Sequence, residues 1–449
     1  MRPLRILLVA ACACAGACST NDTGTLSLLL GGETDTLSRA PAPTQLVVDT
    51  LDTSGRVTPL STVSLAGSAT TISLADASTS TVASIRVRGE DATGALLVWG
   101  LSLPVDFSAF PGGNTLGIFI QRTGELARMP SSLSNARPAP VVASVGARFV
   151  LLAGGTDPAT ALTSEIYDLA TWSPLDAPPT LPRMPKSLAA IGTTVLLLDE
   201  QAATWFNLDD STTADAPAPP GGTYAEIAGG RTVVAPDGTS YLVGATRAAG
   251  DATARVLVVS PAGVLSFATL ASPRLGAAAT WMTGRGLVVG GGSADPTAAG
   301  LEIVGPGATN GVALPFASDA TTGAGAAAID TSHVLLVGGI SKAGADAGAR
   351  FVDVTCTAAN ATTSCAPAAW TAPLTTPLTL AQAFDLDGLS ALVIGDDAAG
   401  ATHAYRVTQA AAAEVPLKVP RSGGRPVVLS TGAIAIAGGA TVMESFAPF

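Results

Sequence analysis

The chain has 449 residues, a net charge of −11, 47% hydrophobic residues and only 4% aromatic ones. That length is enough for two or three ordinary domains, or for one large repeat unit with a smaller companion. The acidic balance, with no cluster of Lys and Arg, excludes nucleic acid as an expected partner, because phosphate backbones demand a basic footprint.

The first residues read as an export signal. Met1-Arg-Pro-Leu-Arg5 is a basic segment, and Ile6-Leu-Leu-Val-Ala-Ala11 opens an apolar stretch too short to span a bilayer. Ala15-Gly16-Ala17-Cys18 resembles the lipobox of bacterial lipoproteins. That resemblance implies a signal over residues 1–18, diacylation of the Cys18 sulfur with palmitate as one acyl group, and a polar tether over 19–24. Cys12 and Cys14 are alternatives, as is an ordinary signal peptide whose cysteines are incidental. A lipidated Cys followed by Ser matches the outer-membrane pattern, so the expectation is an exported lipoprotein that meets the membrane through its anchor alone.

Residues 25–115 carry apolar or alternating runs at Thr25–Leu30, Gln45–Leu51, Val63–Ala66, Thr70–Leu74, Val82–Val87, Ala95–Gly100 and Leu101–Phe107. A further run, Leu116–Ile120, follows just beyond. Turn residues separate these runs, no helical period is visible, and Gly89-Glu-Asp-Ala-Thr-Gly94 fits a hairpin turn. A small β-sandwich of roughly seven strands is expected. It loosely resembles immunoglobulin-like or transthyretin-like modules.

From residue 116 a different pattern takes over. An apolar run followed by small residues recurs as Phe149-Val-Leu-Leu-Ala-Gly-Gly155, Gly286-Leu-Val-Val-Gly-Gly291, Val334-Leu-Leu-Val-Gly-Gly339 and Ala433-Ile-Ala-Ile-Ala-Gly-Gly439. Weaker copies end at Asp199, Gly244 and Gly395. Aligned on the first small residue, the copies stand at 154, 199, 244, 290, 338, 395 and 438, with spacings of 45, 45, 46, 48, 57 and 43. One strong strand per unit of that length is the signature of a β-propeller. The last unit stops at a third strand, Met443 to Phe449, and the segment 116–130 can supply the missing fourth. Seven blades over 116–449 are therefore expected, or six if the divergent second unit is lost.

In the first unit the apolar run and Gly154-Gly155 are followed by Tyr167, Trp172 and then Leu181-Pro-Arg183. This order resembles the kelch repeat, over about three quarters of the chain. The resemblance implies an all-β protein: a seven-bladed kelch-like propeller of the galactose oxidase and kelch type, behind a small β-sandwich. The oxidase site is missing, since it needs two His and two Tyr ligands and a Cys cross-link, and no Cys lies near His333 or His403. The two histidines are expected at a strand end and on the surface respectively. No catalytic residue, metal or cofactor is expected.

Two features remain. Cys356 and Cys365 flank a short polar loop, and in an exported chain they are expected to form a disulfide. An acid follows the second strand in six units: Asp157, Asp199, Asp251, Asp295, Asp346 and Asp396. In an up-and-down blade these loops share one face, and an acidic rim there would suit a cationic partner or Ca²⁺. Asp also favours turns by bonding its own backbone, which leaves a purely structural explanation open. The functional expectation is a monomeric binding or scaffold module for a surface protein or glycan. The alternative is a carbohydrate-active or other extracytoplasmic enzyme with its site at the mouth of the propeller channel.

Overall fold

The computed structural model describes residues 25–65, 71–73, 82–106, 115–160, 162–244, 251–293, 295–345, 348–356, 368–369 and 374–448. Strands dominate it, and the helical turns among these residues are two short 3₁₀ segments, Pro158–Thr160 and Tyr224–Glu226. Among the described residues no helix is long and apolar enough to cross a membrane.

Seven four-stranded antiparallel sheets are present among the described residues, six with their strands in sequential order and the last completed by a strand from ahead of the first repeat. The apolar run is the second strand. Val195, Leu196, Leu197 and Leu198 are all fully buried, because sheets pack on both faces of the run and neither side is left for polar residues. The first strands from Val141–Val145 through Thr379–Asp385 follow one another in contact around a common axis, and Arg425–Val428 joins the strand Ser390–Asp396 of the sixth sheet to the first strand Val141–Val145. This is the arrangement of a β-propeller, in which ring closure removes the open sheet edges.

The glycine pairs turn the chain in a left-handed conformation and let neighbouring sheets approach. Gly438 has φ +81°, and a Cβ there would lie 2.8 Å from the Arg137 carbonyl of the next sheet. Two sequence alignments shift. The left-handed pair of the fourth repeat is Gly291-Gly292, since Gly290 still belongs to the strand Gly286–Gly290. Gly395 lies inside the strand Ser390–Asp396, and its turn is made by Gly400 at φ +84°.

The segment 116–130 is divided between two units. Thr115–Phe119 runs parallel to Thr25–Leu29, and Gln121–Arg122 pairs with Leu96–Leu101. Only Leu126–Arg128 reaches the last sheet, where it lies antiparallel to Glu444–Phe446. The reason is burial. Ile118 and Ile120 are fully buried among Leu26, Leu46, Val48 and Ile85, a core shared by a three-stranded and a six-stranded sheet at the N-terminal end. The predicted hairpin at 89–94 is present: Val82–Glu90 pairs with Leu96–Leu101, and the Asp91 carboxylate accepts the Thr93 and Ala95 N–H groups across the turn.

The two parts are fastened together. Phe119 packs on Trp172 with ring centroids 5.3 Å apart, and Trp99 joins the same buried cluster. Glu33 accepts both the backbone N–H and Nε of Arg128, on the strand that completes the last sheet.

Candidate functional site

Antiparallel order decides which loops share an end of the propeller. The linkers into first strands and the loops between second and third strands emerge together at one end. The loops between first and second strands emerge at the other.

At the linker end the sequence places its acids, and the structure separates their roles. Asp157 is exposed and accepts the Ala159 N–H at 2.9 Å. Asp295 accepts the Thr297 hydroxyl and N–H, which hold its carboxyl below the usual carboxylate range. Asp199 is pushed up by burial, but the Ala202 and Gln201 N–H groups and the Arg183 guanidinium outweigh this and lower it. Asp251 is exposed, and Asp346 lies outside the described residues. Asp396 departs from the expected rim. It is 5% exposed, bonded by Arg425 Nη1 at 2.7 Å and by the Thr402 hydroxyl at 2.8 Å, so its charge is already matched inside the protein.

The same end holds an arrangement that sequence reading missed. An arginine ahead of a first strand folds back onto its own sheet. Arg274 donates to the carbonyls of Gly291 and Ala299 and to Glu302, and both side chains of that ion pair are 0% exposed. Arg421 does the same with Gly438, Val442 and Glu444. Each glutamate also accepts two backbone N–H groups on the way into the first strand: Ala271 and Ser272, within the strand Leu265–Arg274, on Glu302, and Lys418 and Val419 of the linker on Glu444. Glu165 receives Ser134 and Asn135 in the same way. In the fifth sheet the charges are exchanged. Arg350 stands opposite Leu336, two residues before the first turn glycine, where Glu302 stands opposite Val289, and its partner Asp319 is in the linker. The available signal was spacing, since 28 residues separate both Arg137 from Glu165 and Arg274 from Glu302.

At the opposite end a cavity of about 270 Å³ opens among residues of four first strands. Trp281, Phe384, Val428, Ile434 and Pro448 give it apolar walls, and Asp385 stands at its edge. Trp281 is held by stacking on Tyr241, centroids 5.5 Å apart. Burial, and then the like charge of Asp387, raise the Asp385 carboxyl above its usual range. Asp387 itself is lowered: burial opposes this, but the Leu389 N–H, the Ser390 hydroxyl and N–H, and Arg406 prevail.

The remaining sequence candidates are surface or structural. His333 Nδ1 faces Asp330 at 2.8 Å and its ring stacks on Phe351, while His403 faces Glu414 and Asp397. Among the described residues no three His, Cys, Asp or Glu side chains group as metal ligands. Cys356 is buried and disulfide-bonded, whereas Cys365 and Cys18 lie outside the described residues. The Tyr and Trp of the first repeat meet directly, Tyr167 Oη donating to the Trp172 carbonyl at 2.7 Å.

No family model matches the chain, and no curated protein does. Among solved structures it is similar to the Neurospora crassa Pan2 WD40 domain, at 9% identity and a TM-score of 0.43, over 72% of this chain and 96% of that one.

Proposed function

We propose that this chain is an exported, Cys18-anchored lipoprotein in which a β-sandwich and a seven-bladed kelch-like propeller form a rigid binding module. The proposal extends to a Cys356–Cys365 disulfide and to a surface protein or glycan as partner. One observation carries the choice of site: the cavity at the end opposite the linkers, where Trp281, Phe384 and Val428 leave apolar surface open beside the Asp385 carboxyl. Aromatic walls next to a hydrogen-bond acceptor suit a sugar ring, or an apolar side chain next to a cation. Val428 is 48% exposed, Val234 58% and Leu389 75%, so the rim of this mouth offers further apolar contact.

The test is recovery of partners from envelope extract by the soluble form starting at Thr20. Val428→Trp fills the mouth without disturbing the core, and it should abolish recovery while leaving the melting temperature unchanged. Equal recovery by the variant rejects this site. Incorporation of labelled palmitate, expected in the full chain and lost in Cys18→Ser, checks the anchor.

A further inference from the structure

At the linker end of the channel one cation stands apart from every ion pair described so far. Arg231 is the first residue of the third sheet's inner strand, and its Nη1 donates to the Ala381 carbonyl at 2.6 Å. Ala381 belongs to the inner strand of the sixth sheet, so the side chain reaches across the axis. A guanidinium has five N–H donors. Among the described residues only this one is bonded by protein, and no carboxylate forms an ion pair with Arg231. Arg137, Arg350 and Arg421 each leave Nε buried and unbonded, whereas Arg231 is half-buried at the start of its strand.

A second guanidinium is close by. Arg425, the first residue of the last inner strand, donates from Nη1 to Asp396 and the Gly424 carbonyl, and from no other nitrogen among the described residues. Burial, and then the repulsion of Arg425, lower the pKa of Arg231 to about 10. Arg231, Arg425 and Asp396 together carry one positive charge in excess, although the whole chain carries −11.

We infer that the linker-end mouth of the channel, between Arg231 and Arg425, is a binding site for a small monovalent carboxylate. A single negative charge neutralises the excess, and two parallel N–H···O bonds match the guanidinium fork to a carboxylate. The site is separate from the apolar cavity at the other end and does not depend on it.

The experiment follows thermal unfolding and titration calorimetry of the full chain with sodium acetate, against sodium chloride and sodium phosphate at equal ionic strength. Acetate should stabilise the protein saturably where chloride does not. Arg231→Gln should weaken acetate binding at least tenfold. Arg231→Lys keeps the charge and guards against a folding failure. It should bind acetate several-fold more weakly, because the fork is lost. The inference is overturned if acetate acts no differently from chloride, or if either variant binds acetate as the original chain does. A tenfold preference for phosphate also overturns it, by assigning the site to dianions.

Discussion

The carboxylates of this protein show how one residue type serves different ends according to what surrounds it. Asp168 is 2% exposed, and Arg148 donates to both its oxygens, at 2.8 Å and 2.6 Å. Burial would raise the carboxyl, but Arg148 and the Ala170 N–H together hold it below the ordinary 3.8. A carboxyl depressed on folding contributes stability above its unfolded value, and that stability is lost as pH falls through the folded one. Asp168→Asn should therefore cost about 1–3 kcal/mol at pH 7. The difference between the variant and the original chain should shrink below about pH 4. Melting curves from pH 7 to 3 test this, and a difference that stays constant contradicts the pairing. Asp295, by contrast, is fully exposed and stabilised by its own turn, which is what its sequence position alone would suggest.

At the level of the element, the recurrent unit is a sheet tied to its incoming linker by an arginine and a carboxylate. The tie matters because the chain approaching a first strand carries backbone N–H groups that no ladder pairs, and Glu302 and Glu444 each accept two of them. Asp319 and Arg350 keep the ion pair with the charges exchanged, so attraction between linker and third strand is what the site requires, whichever side carries the cation. A double-mutant cycle on Asp319→Ala and Arg350→Ala should give a coupling of about 1–3 kcal/mol. Urea unfolding measures it, and additive effects would show that the pair is incidental. The repeat's Tyr and Trp have a comparable role, since the bond from Tyr167 places the Trp172 ring against Phe119 of the N-terminal unit.

For the whole molecule, the decisive contact joins residues more than three hundred positions apart. Leu126–Arg128 completes the last sheet, with Ala127 directly opposite Ser445. Replacing both with cysteine should allow a disulfide that closes the sheet covalently. The oxidised protein should be more stable than the reduced one by about 2–4 kcal/mol. The readout is the urea midpoint with and without reductant. No difference would mean that the closing strand separates before the rest unfolds. The N-terminal unit is fastened to the same strand by Glu33 and Arg128, and Lys418 reaches Glu125 at 3.0 Å, so release of one should loosen the other.

The sequence alone determined the repeated strands and their turns, because both depend on local patterns. Val-Leu-Leu-Val runs need two apolar neighbours, and a left-handed turn needs glycine. Of the expected closing segment 116–130, Leu126–Arg128 pairs with the last sheet, while Ile118 and Ile120 belong to a core that only the folded N-terminal sheets create. The sequence could not assign the acids. Asp396 is matched by Arg425, 29 residues away, and similar turn glycines after the second strand precede exposed and buried carboxylates alike. It could not find the cavity or the channel arginine, because Arg231 meets its carbonyl 150 residues along the chain. Charge pairing and desolvation act over a few ångströms in space, and the tertiary structure decides which residues come that close.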